Sequence, residues 1–394
     1  MTQKSVSLKP HEDRRLRAGH LWFYTNEIDT QRTPLRDIEP GTLCRVEDAR
    51  GAVLGLATVN PHTLLCGRLL TRRADAQIDA DWFTQRIVEA RTARDAVYPD
   101  PFYRLVYGEA DALPGLVVDR YGDYLAVQIT TAGMECFKTD ILSALQAVFA
   151  PRGMWIGNDV PMRELEGLPA YTEAVGEVPD TVEVVEGGVR FAVSLKSGQK
   201  TGWFYDQRDN RDRLARYAHG ARVLDVCCYA GGWGLRAMAF GASDVAGVDT
   251  SAAALEQATA NAAMNGYAFE PLQGRALDVM KRLNETQRRF ELVIVDPPAL
   301  VKRKKDHTAG LIHYQRLNRA ALDLVAPGGV LVSCSCSFHV TAEELQRAVL
   351  RASREAGKRL AILEQGGQGP DHPVHPAIPE TRYLKALFCR VGAE

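Results

Sequence analysis

The chain has 394 residues, 46% hydrophobic and 25% charged, with a formal net charge of −1. That composition excludes a disordered, collagen-like or coiled-coil chain, and the length predicts two to four domains with buried cores. No run approaches the ~18 apolar residues of a membrane helix, and residues 1–5 open no signal-peptide segment, so a soluble cytoplasmic protein is expected.

Residues 1–74 carry 12 Lys/Arg against 8 Asp/Glu, while the rest of the chain is slightly acidic. A basic N-terminal module points to a phosphate-bearing partner, although an ordinary solvated face gives the same balance. Residues 41–46 and 52–57 read as strands around the turn Asp48-Ala49-Arg50-Gly51, so a compact β module is predicted over 1–74. Residues 82–96 read as a helix that Pro99-Asp100-Pro101 stops. Within 75–190, strands are predicted at 116–119, 124–129, 154–156, 182–185 and 190–193, with a helix over 135–149. Strands on both sides of a single helix predict a small α+β central domain.

The texture changes in 191–394. Short apolar runs at 223–227, 244–249, 292–296 and 329–333 alternate with helical segments. One such helix spans 252–264, with Thr250 or Ser251 as N-cap and Asn265-Gly266 as its stop. This pattern predicts a parallel sheet covered on both faces, an α/β domain.

Asp225-Val226-Cys227-Cys228-Tyr229-Ala230-Gly231-Gly232-Trp233-Gly234 lies where a strand turns into a helix. Glycines there let a ligand approach the backbone and expose helix N-terminal amides. Asp249 ends the next strand, 24 residues after Asp225, where a carboxylate can accept both ribose hydroxyls of an adenosine. Gly232-Trp233-Gly234-Leu235-Arg236-Ala237 also fits the dinucleotide fingerprint. A pyrophosphate gains nothing from the acid at Asp225, whereas a cationic cofactor does; S-adenosylmethionine is therefore expected over a nicotinamide dinucleotide. Asp278 is expected at another strand end, accepting the adenine amino hydrogens, or as a helix N-cap.

Asp296-Pro297-Pro298-Ala299 follows the apolar run 292–295. Its prolines supply no N–H and stiffen the turn, aiming the Asp296 carboxylate at the sheet edge. Enzymes that methylate exocyclic amines often carry an aromatic residue after such a Pro-Pro pair; Ala299 stands there, which weighs against that chemistry. Lys302-Arg303-Lys304-Lys305 could grip RNA phosphates or form a solvated loop.

Eight cysteines in a chain of this length form no disulfide framework, and no C-x-x-C or suitable histidine spacing suggests a metal site. Cys334-Ser335-Cys336 ends the run 329–333. Carbon 5 of a pyrimidine becomes nucleophilic only after a thiolate adds at carbon 6. A cysteine at this strand end could supply that thiolate, with Asp296 near ring nitrogen 3. Alternation puts Cys334 and Cys336 on one face, so periodicity does not choose between them. Cys336 lies nearer the mouth, and Cys334 reads as buried filler.

Together these residues resemble the RlmI-type class I S-adenosylmethionine-dependent 23S ribosomal RNA (cytosine-5) methyltransferases. Arg14-Arg15, Gly19-His20-Leu21-Trp22 and Asn26-Glu27-Ile28 resemble the opening of that family, which belongs to an RNA-binding PUA domain. Gly108-Glu109-Ala110-Asp111-Ala112-Leu113-Pro114-Gly115-Leu116 and Val118-Asp119-Arg120-Tyr121-Gly122 resemble its central domain. Gly198-Gln199-Lys200-Thr201-Gly202-Trp203-Phe204-Tyr205-Asp206-Gln207-Arg208 resembles the segment lining its cofactor site, and Asp371-His372-Pro373 with Tyr383-Leu384-Lys385 resembles its ending.

The likeness implies a PUA domain at 1–74, a central α+β domain at 75–190 and a Rossmann-like methyltransferase domain at 191–394. It implies S-adenosylmethionine held by Asp206, Arg208, Asp225, Tyr229, Gly231, Gly234, Asp249, Asp278 and Asp296. It implies Cys336 as the single nucleophile, in Ser335-Cys336-Ser337, with Asp296 holding the ring. Ala299 occupies the place of a second cysteine found in many RNA cytosine-5 methyltransferases. The partner implied is 23S rRNA, the assembly a homodimer, with no membrane and no metal. Two other readings are an RNA methyltransferase acting on a purine nitrogen, which needs no Cys336, and a non-catalytic RNA-binding factor.

Overall fold

The computed structural model of the chain describes residues 4–196 and 201–393, so Gly198, Gln199 and Lys200 of the predicted cofactor segment lie outside the described residues. The chain divides into two compact units. One comprises Met1–Val182, Ser194–Trp203 and Pro370–Thr381; the other comprises Glu183–Val193, Phe204–Gly369 and Arg382–Glu394.

The first unit contains two sheets. In one, β1 (Ser5–Ser7), β2 (Trp22–Phe23), β3 (Thr42–Glu47), β4 (Val53–Val59) and β5 (Gly67–Thr71) take the order β1-β3-β4-β5-β2. The predicted turn between β3 and β4 forms because the Asp48 carboxylate accepts from Arg50 N and Ala52 N, each at 2.9 Å. Gly67 is demanded by packing: a Cβ there would lie 1.9 Å from the Phe23 ring in the core of this module.

In the other sheet, β6 (Phe102–Tyr107), β7 (Leu116–Tyr121), β8 (Tyr124–Ile129), β9 (Gly153–Asn158) and β10 (Tyr171–Gly176) take the order β10-β9-β8-β7-β6. The helix Ala80–Asp95 starts where Asp79 accepts from Trp82 N at 3.0 Å. The predicted helix 135–149 is broken at Phe137 into Ala132–Cys136 and Lys138–Phe149. Strands β6 and β10 were not predicted. β10 alternates exposed and half-buried positions with no buried one, so it carries no apolar run. The strands predicted at 182–185 and 190–193 do not join this sheet. They pair with each other as β11 (Val182–Glu186) and β12 (Val189–Val193).

The second unit is built on seven strands: β13 (Arg222–Val226), β14 (Asp244–Asp249), β15 (Glu270–Gln273), β16 (Phe290–Val295), β17 (Val325–Ser335), β18 (Lys358–Gly366) and β19 (Lys385–Ala393). Their order is β15-β14-β13-β16-β17-β19-β18. The first five run parallel, and β19 runs antiparallel to β17 and β18. Both faces are buried, which is why the central strands read as unbroken apolar runs. Leu224, Val226 and Val293 pack with Val279, Tyr314 and Leu345 on one side. Val223, Ile294, Val332 and Cys334 pack with Trp233 and Phe388 on the other. The order reverses beside β13, so β13, β14 and β16 bring their carboxyl ends to one edge, the usual crevice for a ligand in such a sheet.

No helix among the described residues is long and apolar enough to cross a membrane, and no group of three or more His, Cys, Asp or Glu among them could hold a metal ion.

Inside this unit the β11–β12 hairpin is tied down by a buried ion pair. Arg211 donates to both Glu186 carboxylate oxygens at 2.6 Å, and both side chains are almost fully buried. Removing one partner of such a pair leaves an uncompensated buried charge. Glu186→Ala should therefore cost about 3–5 kcal/mol in urea unfolding. Glu183→Ala, which breaks the exposed pair with Arg190, should stay within about 1 kcal/mol.

Candidate active site

The site grows from the carboxyl end of β13. Asp225 is fully buried there, and its Oδ2 accepts from Gly234 N at 3.0 Å. Its Oδ1 has no hydrogen-bond partner among the described residues. Burial pushes the Asp225 carboxyl up to about 7, and the nearby charges of Asp296 and Asp249 add to the rise. The loop that follows is tight. Cys227 and Tyr229 hold φ of 66° and 47°, and Gly231, at φ 85°, precedes the helix Gly232–Ala239. A Cβ on Gly234 would meet Val245 Cγ1 at 2.7 Å and Asp225 Oδ2 at 3.4 Å, so only glycine lets the helix seat on β13 and β14.

Asp249 closes β14. Its two oxygens accept from Tyr229 N and Ser251 N, each at 3.0 Å, so the loop and the acid fix each other. Ser251 is the N-cap of the helix Ala252–Met264; its hydroxyl accepts from Ala254 N. Asn261 of that helix donates to Ala230 O at 3.1 Å and steadies the loop from behind.

Asp296 follows β16. Its Oδ2 accepts from Gln207 Nε2 at 3.0 Å and Trp233 Nε1 at 2.9 Å, and its amide donates to Val226 O. Asp206, in the helical turn Tyr205–Gln207, accepts from the Tyr383 hydroxyl. Arg208 is turned toward Glu186, at 3.8 Å, and lies over the Tyr205 ring. Asp278 is not at a strand end. Strand β15 stops at Gln273, Gly274 turns the chain with φ 148°, and Asp278 is exposed in the first turn of the helix Ala276–Glu285, whose N-cap is Arg275. The turn forms because Gly274 N donates to Asp249 O at 2.9 Å.

The two cysteines separate. Strand β17 ends at Ser335, so alternation stops short of Cys336. Cys334 is fully buried, and desolvation pushes its thiol well above the usual range. Cys336 is half-buried, with its sulfur 3.8 Å from Pro297 O, directly after Asp296. Its neighbours are pinned. Ser335 Oγ donates to the Tyr314 hydroxyl at 2.9 Å, which lies 2.9 Å from Ser337 Oγ. Ser337 Oγ in turn accepts from Val301 N at 3.1 Å. The serines thus anchor the Cys336 segment to the Pro-Pro loop. Lys302, Arg303, Lys304 and Lys305 follow that loop and are exposed.

Sequence reasoning overlooked Gln207, Trp233, Tyr314, Tyr383 and Lys385 as parts of this edge. Gln207, Trp233, Tyr383 and Lys385 lie inside segments singled out above, but nothing in the sequence aims their side chains at this edge.

A family model for S-adenosylmethionine-dependent methyltransferases matches residues 169–390, and one for PUA-like domains matches residues 6–72. Curated relatives span the whole chain. The ribosomal RNA large subunit methyltransferase I of Tolumonas auensis is 35% identical, covering 98% of this chain and 99% of that protein. The protein of the same name from Aeromonas hydrophila is also 35% identical with the same coverage.

The chain belongs to the ribosomal RNA large subunit methyltransferase I family.

Its cofactor is accordingly S-adenosylmethionine. The fold agrees: the crystal structure of SMU.776, described as a methyltransferase complexed with SAH, matches with a TM-score of 0.83 at 18% identity, covering 98% of this chain and all of the other. A Streptococcus mutans structure described as a candidate S-adenosylmethionine-dependent methyltransferase matches with a TM-score of 0.81 at 17% identity, over 98% of this chain and all of that one. The residues fit a cationic cofactor, since a buried carboxylate oxygen without a partner sits beside a loop kept open by glycines.

Asp225 gives a test that needs no ligand. Its proton is held more tightly in the folded chain than in the unfolded one, where the value is ~3.9. The stability this gives is present at low pH and is lost as pH rises from about 4 to about 7. Asp225→Asn keeps an acceptor for Gly234 N without the charge. Its stability advantage over the parent should widen by about 2–3 kcal/mol between pH 5 and pH 8 in urea unfolding.

Proposed function

We propose that this protein transfers a methyl group to carbon 5 of a cytosine in 23S ribosomal RNA through a transient bond between Cys336 and carbon 6. The position of Cys336 supports this best: it is half-buried at the end of β17 against the loop that carries Asp296, while Cys334 is sealed in the core. The names of the curated relatives support a large-subunit rRNA substrate.

On this reading residues 1–74 and 75–190 hold RNA and residues 191–394 carry the chemistry, in a cytoplasmic homodimer. The target base is unstacked into the cleft, and the exposed Lys302, Arg303, Lys304 and Lys305 sit beside it to take phosphates. S-adenosylmethionine supplies an electrophilic methyl group on a positively charged sulfur. Asp225 faces that positive charge, Asp249 takes the ribose hydroxyls, and Asp278 takes the adenine amino group. Asp206, Arg208 and Tyr229 wall the site. Gly231 and Gly234 let the cofactor approach the backbone.

The Cys336 thiolate adds to carbon 6, and the electron pair released from the ring double bond makes carbon 5 the nucleophile. Asp296, oriented by Gln207 and Trp233, holds the ring. After methylation the carbon-5 proton passes to solvent, the C–H electron pair re-forms the ring double bond, and the Cys336 sulfur leaves carbon 6 as a thiolate.

RNA carrying 5-fluorocytosine should trap the protein covalently, because fluorine does not leave as a proton does. Denaturing gels should show the adduct with the parent and with Cys334→Ala, and none with Cys336→Ala. An adduct that survives Cys336→Ala would remove this mechanism, and methyl transfer without Cys336 would favour a ring or amino nitrogen as the target.

A further inference from the structure

Lys385 opens β19 directly opposite Ser335 in the antiparallel β17–β19 ladder. Its side chain turns inward and is 9% exposed. The ammonium donates to Ser337 O at 2.6 Å and Tyr383 O at 2.8 Å. Both of these hydrogen bonds go to carbonyl oxygens and neither to a carboxylate. Ser335 and Ser337 bracket Cys336, so this cation is fastened to the short segment that carries the sulfur.

A buried ammonium bonded only to carbonyls is expensive to keep charged. Desolvation indeed lowers Lys385 to about 8, and the groups that pull it back up are Cys336 first and Glu344 second. Glu344 is engaged elsewhere: its carboxylate meets His307 Nε2 at 3.0 Å and accepts from Thr341 N. The Tyr314 hydroxyl is held between the two serines. Asp296 directly precedes Pro297, whose carbonyl oxygen lies 3.8 Å from the sulfur, and a carboxylate on that loop opposes a thiolate. The attraction between Lys385 and the Cys336 anion is mutual, so what favours the ammonium favours the thiolate.

We propose that Lys385 is a positioning residue for Cys336: its ammonium, strapped to the Ser337 and Tyr383 carbonyls, holds the sulfur as a thiolate before the base arrives. The thiol proton goes to solvent and Lys385 keeps its own. Thiolate with ammonium and thiol with amine carry the same number of protons, so titration reports the pair. The inference adds to the proposed reaction, and it is read without RNA, so it fails or stands separately from the 5-fluorocytosine test.

The experiment is iodoacetamide alkylation of the full-length protein from pH 5.5 to 9, with Cys336 and the exposed Cys136 followed by peptide mass spectrometry. In the parent the Cys336 rate should reach its midpoint below the ~8.5 of a free thiol. Lys385→Met should slow Cys336 about tenfold at pH 7 and leave Cys136 unchanged, whereas Lys385→Arg should stay within about threefold. An unchanged Cys336 profile in Lys385→Met overturns the proposal. So does a parent midpoint at or above that of a free thiol, a result that needs no variant to fold.

Discussion

Three carboxylates meet at one edge of a parallel sheet, and the site depends on the burial of the innermost one, to which the charges of the other two add. Asp225, Asp249 and Asp296 end or follow adjacent strands, and the topology leaves them no choice of neighbour. Asp249 spreads its charge over the Tyr229 and Ser251 backbone amides, and Asp296 over the Gln207 side-chain amide and the Trp233 indole. Asp225 lies beneath them, fully buried, with one oxygen on Gly234 N and the other without a partner among the described residues. A cation placed over this edge relieves repulsion that the folded chain otherwise carries. A positively charged methyl donor matches that requirement, and a pyrophosphate does not.

The second constraint is mechanical. The role proposed for Cys336 needs a sulfur held still without being sealed. Here its two serine neighbours are fixed through Tyr314 and Val301, and Lys385 holds the carbonyl of one of them from the far side. Bonds to its neighbours thus place Cys336, which stays half-buried. Cys334, two residues earlier, lies within the core and is sealed.

Much of this was legible in the chain. The strands β13 and β14, the helix Ala252–Met264 with its Ser251 cap, and the glycine loop were readable because local rules decide them: apolar runs, capping side chains and glycine at strained φ. Strand β10 was not readable because its residues alternate without a buried position. Asp278 was misplaced because a four-residue strand and a glycine turn precede it, and neither leaves an apolar signature. The hairpin of β11 and β12 is legible as two strands, but its attachment to the second unit rests on a buried Arg211–Glu186 pair, a contact between residues 25 apart.

The amino-acid order alone determined a doubly wound α/β domain behind a basic β module, an acid-lined glycine loop and a Ser-Cys-Ser strand end, since each is a local pattern of spacing and residue type. Tertiary structure decided the rest. The end of β17 at Ser335 parts Cys336 from Cys334, and the β17–β19 register brings Lys385 to the carbonyl of Ser337, 48 positions away. Folding also buries Asp225 deeply enough to raise it to about 7. These are effects of long-range pairing and of water removed from a charge, and no short stretch of sequence records either.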